Sequence, residues 1–373
     1  MQTKTTLRTV IASLLSLFLV FLVSTPANAA IDNVIATIAV GDQPWSVAIT
    51  PDGTKALVAI SNASRVDVID TATNTVQTSI AVSGSPTDIA INSLGTYAYV
   101  SKNTGAAVAV IRLSDLTVVA TISVGQAPFG IAVSPDSSTI FVANMIDSTY
   151  SVIRASDNTV TNTVSTAANP LMVAVSPNGA KLYVSNVGSA LQVFTTSNNT
   201  LANTISMGSV SRTMVFSPDG SILYVVNTGP GTVSVVNTAT NAVTDTISVA
   251  TGPMGMAITP DGAKLYVTCF HTGQVQAIDT ATKAVISTIN VASGMTGIAI
   301  TPNGHNAYAT SLNDDTVSVI NLVEPTPMPT PVPQELANTG TSSSPNVLLI
   351  SGVLFILLGG VLLLTRKNSH VAL

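Results

Sequence analysis

One short motif recurs along the middle of the chain at a nearly constant spacing. Its clearest copies read Ser-Pro-Asp-Gly or Thr-Pro-Asp-Gly, and its second position falls at Pro51, Ser93, Pro135, Pro177, Pro218, Pro260 and Pro302. The successive intervals are 42, 42, 42, 41, 42 and 42 residues. A period held over seven copies indicates seven equivalent units that stack on one another.

Each unit contains four short apolar runs that alternate with polar residues, as at 47–49, 182–184, 233–236 and 76–80. Such alternation, rich in β-branched residues and bounded by Pro, Asp, Asn and Gly, predicts strands and turns. Only 8% of the residues are charged, which suits short strands better than helices. The sequence therefore predicts an all-β fold over residues 30–322, a seven-bladed β-propeller with four antiparallel strands in each blade.

The two ends of the repeat region distinguish a closed ring from a linear solenoid. The seventh unit stops after three runs, at 317–321, and the segment 34–40 has the character of a fourth run. We expect this N-terminal strand to complete the last blade, because the ring then leaves no unfinished blade edge exposed.

The repeated elements, of which LYVVN at 223–227 and TVSVVNTATN at 232–241 are examples, resemble the YVTN-type β-propeller repeat. The resemblance covers residues 34–321. It implies a bacterial or archaeal protein of the cell surface or periplasm, in a family that shares no single activity.

The N-terminus predicts secretion. Residues 1–29 contain Lys4 and Arg8, an apolar run at 10–23 and the small-residue site Ala27-Asn28-Ala29. This is the pattern of a signal peptide, with Ala30 as the first mature residue. An N-terminal membrane anchor is the alternative.

The C-terminus predicts attachment to a surface. Residues 323–346 form a spacer that includes the Pro-rich stretch EPTPMPTPVP, and residues 347–365 are apolar and long enough for a transmembrane segment. The tail at 366–373 begins with Arg366-Lys367, which is typical of the cytoplasmic side. We therefore expect the propeller on the extracellular face.

A sorting-type motif lies within the spacer. Leu336, Ala337, Asn338, Thr339 and Gly340, followed by an apolar segment and a basic tail, resemble the LPxTG cell-wall sorting signal. That resemblance implies a sortase-type transpeptidase as a partner, which cuts between Thr and Gly and joins the protein to the cell wall. Ala337 replaces the usual Pro, as in the LAxTG variant read by some actinobacterial-type sortases. Permanent retention in the membrane is the alternative.

Six of the seven positions that lie six residues after the motif are aromatic. They are Tyr99, Phe141, Tyr183, Tyr224, Tyr266 and Tyr308, and Leu57 is the exception. We interpret them as packing between blades, because a buried ring removes ~150 to 250 Å² from water.

The positions that break the repeat are the candidates for a binding site. The residue entering each first strand is, in order, Trp45, Thr87, Phe129, Leu171, Arg212, Met254 and Thr296. We expect this ring, here called the channel mouth, to surround one end of the central channel. Trp and Arg are common binding anchors. The ligand-binding candidates are Trp45, Phe129, Arg212, Met254 and the neighbouring loop residue His271; an apolar plug of the channel is the alternative.

The sequence predicts no metal site, no cofactor and no catalytic residue. His271 lies near Cys269, which we expect to be a small loop residue, but His305 and His370 are on other segments. Asp314-Asp315 could bind a cation, although a solvated turn is the preferred interpretation. Propeller lactonases use a glutamate in their calcium-assisted chemistry. Both glutamates of this chain, Glu324 and Glu335, lie outside the repeats, so no blade can supply that residue.

Charge argues against nucleic acid as a partner. Residues 30–339 carry nine Lys and Arg against eighteen Asp and Glu, and such an acidic surface repels phosphate. We therefore expect a non-catalytic binding, adhesion or envelope scaffold module with an extracellular protein or glycan as its ligand. A propeller hydrolase of lactonase type is the alternative.

Overall fold

The computed structural model describes residues 31–323, which form seven four-stranded antiparallel sheets arranged as a ring. One 3-10 turn at Asn103–Gly105 is the only helical element of these residues. The prediction of an all-β, seven-bladed propeller is confirmed.

The strands occupy equivalent places in each blade. The inner strands, which contact one another around the channel, are β2 (Pro44–Ile49), β6 (Pro86–Ile91), β10 (Pro128–Val133), β14 (Pro170–Val175), β18 (Ser211–Phe216), β22 (Pro253–Ile258) and β26 (Met295–Ile300). The second strands are β3 (Lys55–Ile60), β7 (Tyr97–Lys102), β11 (Thr139–Asn144), β15 (Lys181–Asn186), β19 (Ile222–Asn227), β23 (Lys264–Cys269) and β27 (Asn306–Ser311). The third strands are β4 (Arg65–Asp70), β8 (Ala107–Arg112), β12 (Thr149–Arg154), β16 (Ala190–Thr195), β20 (Thr232–Asn237), β24 (Gln274–Asp279) and β28 (Thr316–Asn321). The outer strands are β5 (Thr75–Ala81), β9 (Thr117–Ser123), β13 (Thr159–Ser165), β17 (Thr200–Ser206), β21 (Ala242–Ser248), β25 (Ala284–Asn290) and β1 (Asn33–Ala39).

The last blade is built from both ends of the repeat region. Its sheet has the order β1-β28-β27-β26, and β1 runs antiparallel to β28 from the pair Asn33 and Asn321 to the pair Ala39 and Thr316. The expected closure by the N-terminal strand is confirmed, and β28 is covered on both edges.

The turn between the first two strands explains the motif that marks each repeat. In the first blade, one carboxylate oxygen of Asp52 accepts hydrogen bonds from the Thr50 hydroxyl at 2.5 Å and the Thr54 amide at 3.0 Å. These bonds hold the pKa of Asp52 below its usual value. Gly53 follows with φ of +72°, a left-handed conformation that glycine adopts without steric cost.

The core lies between the blades. Seven apolar clusters each join one blade to the next, and each contains the predicted aromatic residue or its replacement Leu57. All of these side chains are buried, with Tyr183, Tyr266 and Tyr308 fully so. Their interpretation as packing between blades agrees with the structure.

The predicted signal peptide at 1–29, the motif at 336–340, the apolar segment at 347–365 and the tail at 366–373 lie outside the described residues. Within residues 31–323, no helix has the length and apolar character needed to cross a membrane.

Candidate ligand-binding site at the channel mouth

Two sets of loops meet on one side of the ring. The amide of Ser61, after the second strand of the first blade, donates to the carbonyl of Gln43, before its inner strand, at 3.0 Å. The amide of Val82 donates to the carbonyl of Ser64 at 2.9 Å in the same way. The loops that enter the inner strands and the loops between second and third strands therefore share one face, and each inner strand begins there.

Every inner strand has an irregular start. The register of β2 against β3 shifts between Pro44 and Val47, and the same shift occurs in the other six blades. A bulge of this kind breaks the alternation of side chains. As a result, two successive positions of an inner strand, such as Trp45 and Ser46, line the channel.

The channel end enclosed by these strands is a cavity of about 130 Å³. All seven channel-mouth residues line it. The other lining residues are Ser46, Val47, Asp88, Met172, Thr213, Gly255, Met256, Gly297 and Ile298. The structure therefore brings together four of the five ligand-binding candidates, Trp45, Phe129, Arg212 and Met254, and leaves His271 outside the cavity lining.

An aromatic pair forms one wall of the cavity. The rings of Trp45 and Phe129 meet edge to face, with their centroids 5.7 Å apart and their planes at 82°. They come from the first and third blades and meet across Thr87 of the second blade, whose hydroxyl pairs with that of Ser101 at 3.0 Å. Both rings keep part of their surface exposed, so the pair narrows the channel without filling the cavity.

Arg212 supplies the positive charge of the cavity. Its Nε atom is buried and has no hydrogen-bond partner, and the guanidinium takes part in none of the four ion pairs found in residues 31–323. Burial lowers the pKa of Arg212, because a desolvated cation is less stable than a hydrated one.

Asp88 supplies the negative charge, and its carboxylate is already engaged. One oxygen accepts from its neighbour Ile89 at 2.9 Å, and the other accepts from the amide of Ile131, in the third blade, at 3.1 Å. The Ser46 hydroxyl lies beside it without a hydrogen bond of normal geometry. Burial raises the pKa of Asp88 to about 6, and the two amide bonds oppose that rise.

Close packing of the inner strands limits what these positions can hold. A Cβ atom on Gly130, the residue equivalent to Ser46 and Asp88 in the third blade, would lie 2.6 Å from the Cα of Met172. This position is glycine in three of the seven blades, and Asp88 and Ser46 occupy it in two others. A comparison of the seven units at the position after each channel-mouth residue would have identified both.

The other polar residues of this face have structural partners. Asp314 accepts from the amide of Ser293 at 2.8 Å, Asp315 from Gln43 at 3.0 Å, and Asp147 from Gln126 at 2.8 Å. These bonds favour the turn interpretation of Asp314-Asp315 over a cation site. No group of three or more His, Cys, Asp or Glu within the described ring is arranged to hold a metal ion.

The environment of Cys269 differs from the expected one. It is the last residue of β23 and fully buried, not a loop residue. Burial raises the pKa of its thiol to about 11, so the thiol stays protonated and unreactive. His271 is exposed and contacts Phe270 edge to face, with centroids 5.3 Å apart.

These features define a closed seven-bladed β-propeller with an asymmetric cavity at one end of its channel. The chain belongs to the YNCE-like β-propeller family, whose model matches residues 13–305. The finer resemblance to the YVTN-type repeat stays a prediction.

Solved structures show the same fold. Hydrazine synthase of Kuenenia stuttgartiensis is similar to this chain with a TM-score of 0.70 and 21% sequence identity, over 79% of this chain and 98% of that one. At this identity the likeness shows the fold alone. No curated protein matches the chain.

Proposed function

We propose that this protein is a non-catalytic binding module at the extracellular face of a bacterial cell, with the channel mouth as its binding surface. The proposed partner is an extracellular protein or glycan. The observation that supports it most directly is the open cavity between the Trp45 and Phe129 pair and the unpaired guanidinium of Arg212.

The make-up of the cavity suits binding. Ligand sites are mostly apolar concave surfaces with a few polar groups that fix orientation. Here Trp45, Phe129, Leu171 and Met254 supply apolar surface, and Arg212 supplies a charge with free donors. A channel closed only for stability would not need a half-buried arginine without a protein partner.

The surface location rests on the sequence. In this proposal the signal peptide at 1–29 exports the chain, and the 323–346 spacer holds the propeller away from the cell. A sortase-type transpeptidase joins Thr339 to the cell wall; otherwise the 347–365 segment keeps the chain in the membrane. Mass spectrometry of the surface-attached protein separates the two: a chain ending at Thr339 supports sorting, and an intact, detergent-soluble chain excludes it.

The adhesion test compares matched variants. Beads coated with the purified protein are mixed with candidate cells and matrices, using wild type, Trp45→Ala, Arg212→Ala and the control Leu94→Ala. Leu94 is 73% exposed in the turn between β6 and β7, at the opposite end of the blade. We expect capture to drop at least tenfold for Trp45→Ala and Arg212→Ala only. Capture that is equal in all four proteins excludes the channel mouth.

Catalysis has its own test. The carboxylate that lines the cavity, Asp88, is bonded to two backbone amides, and no glutamate occurs in residues 31–323. We expect no turnover of a lactone panel. Turnover that a chelator abolishes would establish the lactonase alternative instead.

A further inference from the structure

Arg212 is half-buried, and its guanidinium, whose Nε atom is fully enclosed, has no hydrogen-bond or ion-pair partner in the described ring. Removing a charged group from water costs free energy unless a hydrogen-bonded counter-charge replaces the hydration. The carboxylate that shares the cavity, Asp88, is held by Ile89 and Ile131 and forms no ion pair with Arg212. An anion from outside the chain would supply the missing partner.

Most other polar groups of the cavity are already used. The Thr296 hydroxyl bonds to Thr310 at 2.8 Å, and the Thr213 hydroxyl donates to the carbonyl of Met254 at 2.7 Å. Thr87 is paired with Ser101. The guanidinium of Arg212 and the hydroxyl of Ser46 are therefore the groups left to fix the orientation of a ligand, and Arg212 is the charged one.

The cavity has room for part of one ring. Its volume of about 130 Å³ is close to the ~150 Å³ of an engineered cavity that holds benzene. The edge-to-face pair of Trp45 and Phe129 supplies apolar aromatic surface beside the cavity, and planar carboxylates match the fork of a guanidinium. A ligand with a carboxylate directly on a six-membered ring places the charge and the apolar surface together.

We propose that the channel mouth binds the carboxylate of an acidic sugar residue, with Arg212 as its ion-pair partner and the Trp45–Phe129 pair against the sugar ring. This inference rests on the proposed function and names the ligand class. An acidic amino-acid side chain carries its carboxylate on a short flexible stem and has no ring to lie against the aromatic wall, so it fits less well.

Asp88 makes the binding pH-dependent. β2 and β10, the inner strands on either side of β6, carry no ionisable side chain. The second strand β7 carries Tyr97, Tyr99 and Lys102, and the Lys102 side chain packs against Gly84 and Gly105, away from the cavity lining. Acidification neutralises Asp88 and removes a like charge from the cavity, so we expect a carboxylate to bind several-fold more tightly at about pH 5 than at about pH 7.5.

The fluorescence of Trp45 can report ligand binding in the cavity. Trp45 is the only tryptophan of the chain and lines the cavity, so a bound ligand should change its emission. The experiment titrates the purified protein with glucuronate, glucose and N-acetylglutamate, with calorimetry as a second readout. The variants are Arg212→Gln, Arg212→Lys and Arg154→Gln. Arg154 is an exposed arginine paired with Asp157 and serves as the control.

We expect saturable binding of glucuronate, none of glucose, and a loss of roughly tenfold or more in Arg212→Gln, because a charge-assisted hydrogen bond is removed. Arg154→Gln should match wild type. Arg212→Lys keeps the charge without the fork and should bind several-fold more weakly, which tests the site if Arg212→Gln fails to fold. Equal binding of glucose, tighter binding of N-acetylglutamate, an unchanged Arg212→Gln, or no signal up to about 10 mM overturns the inference.

The two proposals fail in different ways. Arg212-dependent binding of glucuronate without any adhesion leaves the acidic-sugar site intact and removes the adhesion function. Adhesion that needs Trp45 and Arg212, without binding of any acidic sugar, supports the adhesion function and overturns the acidic-sugar site.

Discussion

Asp88 links the stability of the ring to pH. Its folded pKa, about 6, lies above the ordinary value of 3.8 for an aspartate. The folded state therefore holds this proton more tightly than the unfolded chain, and the free energy of unfolding falls as pH rises from about 4 to above 6. The other shifted carboxylates of the described ring, such as Asp52 and Asp115, have lowered pKa values, so the stability they contribute is lost only at lower pH.

The Asp88→Asn variant separates this contribution. Between about pH 7.5 and pH 5, we expect the wild type to gain about 1 kcal/mol that the variant does not gain. Denaturant unfolding of both proteins at the two pH values measures the difference. An identical response to pH in the two proteins would show that Asp88 is not desolvated in the folded ring.

Comparing equivalent positions of the seven units identified part of the site, and it missed the rest for a physical reason. It identified Trp45, Phe129, Arg212 and Met254 because these positions differ from blade to blade. It missed Asp88, because strand alternation assigns the residue after Thr87 to the other side of the sheet, and the bulge at the start of each inner strand turns it toward the cavity. A bulge leaves no signal in the hydrophobic pattern.

Tyrosine hydroxyls add a polar contact between blades. Tyr308 donates to Asn74 at 2.6 Å and Tyr183 to Asn241 at 3.2 Å, each reaching the left-handed turn residue of the next blade. Between the first and second blades both members of the contact are apolar: Leu57 replaces the tyrosine and Leu116 the asparagine. The sequence predicted the packing of these rings but not their hydroxyl bonds, which depend on the turn of the neighbouring blade.

This contact can be tested by removing one oxygen atom. Tyr308→Phe should lower the free energy of unfolding by about 1 kcal/mol, because the buried ring keeps its packing and loses its bond to Asn74. Tyr224→Phe is the matched control, since the Tyr224 hydroxyl makes no hydrogen bond in the described part of the chain, and it should change stability little. Equal effects of the two variants in thermal unfolding would rule out a contribution from the hydroxyl.

At the level of elements, β1 closes the ring in two ways. It pairs with β28 along its length and buries Ile38. The residue just before β1, Asp32, has φ of +55° and accepts a hydrogen bond from the Tyr266 hydroxyl at 2.7 Å. Asp32 thus takes the place that Asn74 and its equivalents hold in the continuous blades.

Deleting residues 31–40 should therefore open the ring. The Ile38 side chain alone contributes ~1.5 to 3 kcal/mol by its burial, and the exposed edge of β28 favours association between chains. We expect loss of several kcal/mol of stability and oligomers in size-exclusion chromatography.

A circular rearrangement is the control for that deletion. Residues 31–40 are attached after Leu322 through a four-residue turn like the one at 71–74, which joins β4 to β5. This variant should recover the monomer and the stability of the wild type. A deletion variant as stable as the wild type would show that β1 is dispensable for closure.

At the level of the whole molecule, the fold was predictable because each blade repeats the same pattern. The four strands, the turn motif and the incomplete last unit are all visible in the sequence, and each has one counterpart in the ring. The geometry of the channel end depends on distances between inner strands of different blades. No local pattern encodes those distances, so the cavity and the state of Arg212 required the structure.

The asymmetry of the ring is concentrated at one end of the channel. Seven similar clusters hold the blades together, while the seven channel-mouth residues are of six different types. An apolar plug of the channel would account for the aromatic pair, but it gives no role to the arginine beside it, which has no protein partner. The binding account therefore depends on this end of the ring.

A glycan and protein array is the most direct test of that account. It is probed in parallel with the wild-type protein, Trp45→Ala and the control Leu94→Ala. The account predicts at least one ligand that wild type and Leu94→Ala bind and Trp45→Ala does not. If every signal of the wild type survives in Trp45→Ala, or the wild type binds nothing, the channel mouth is not a binding site.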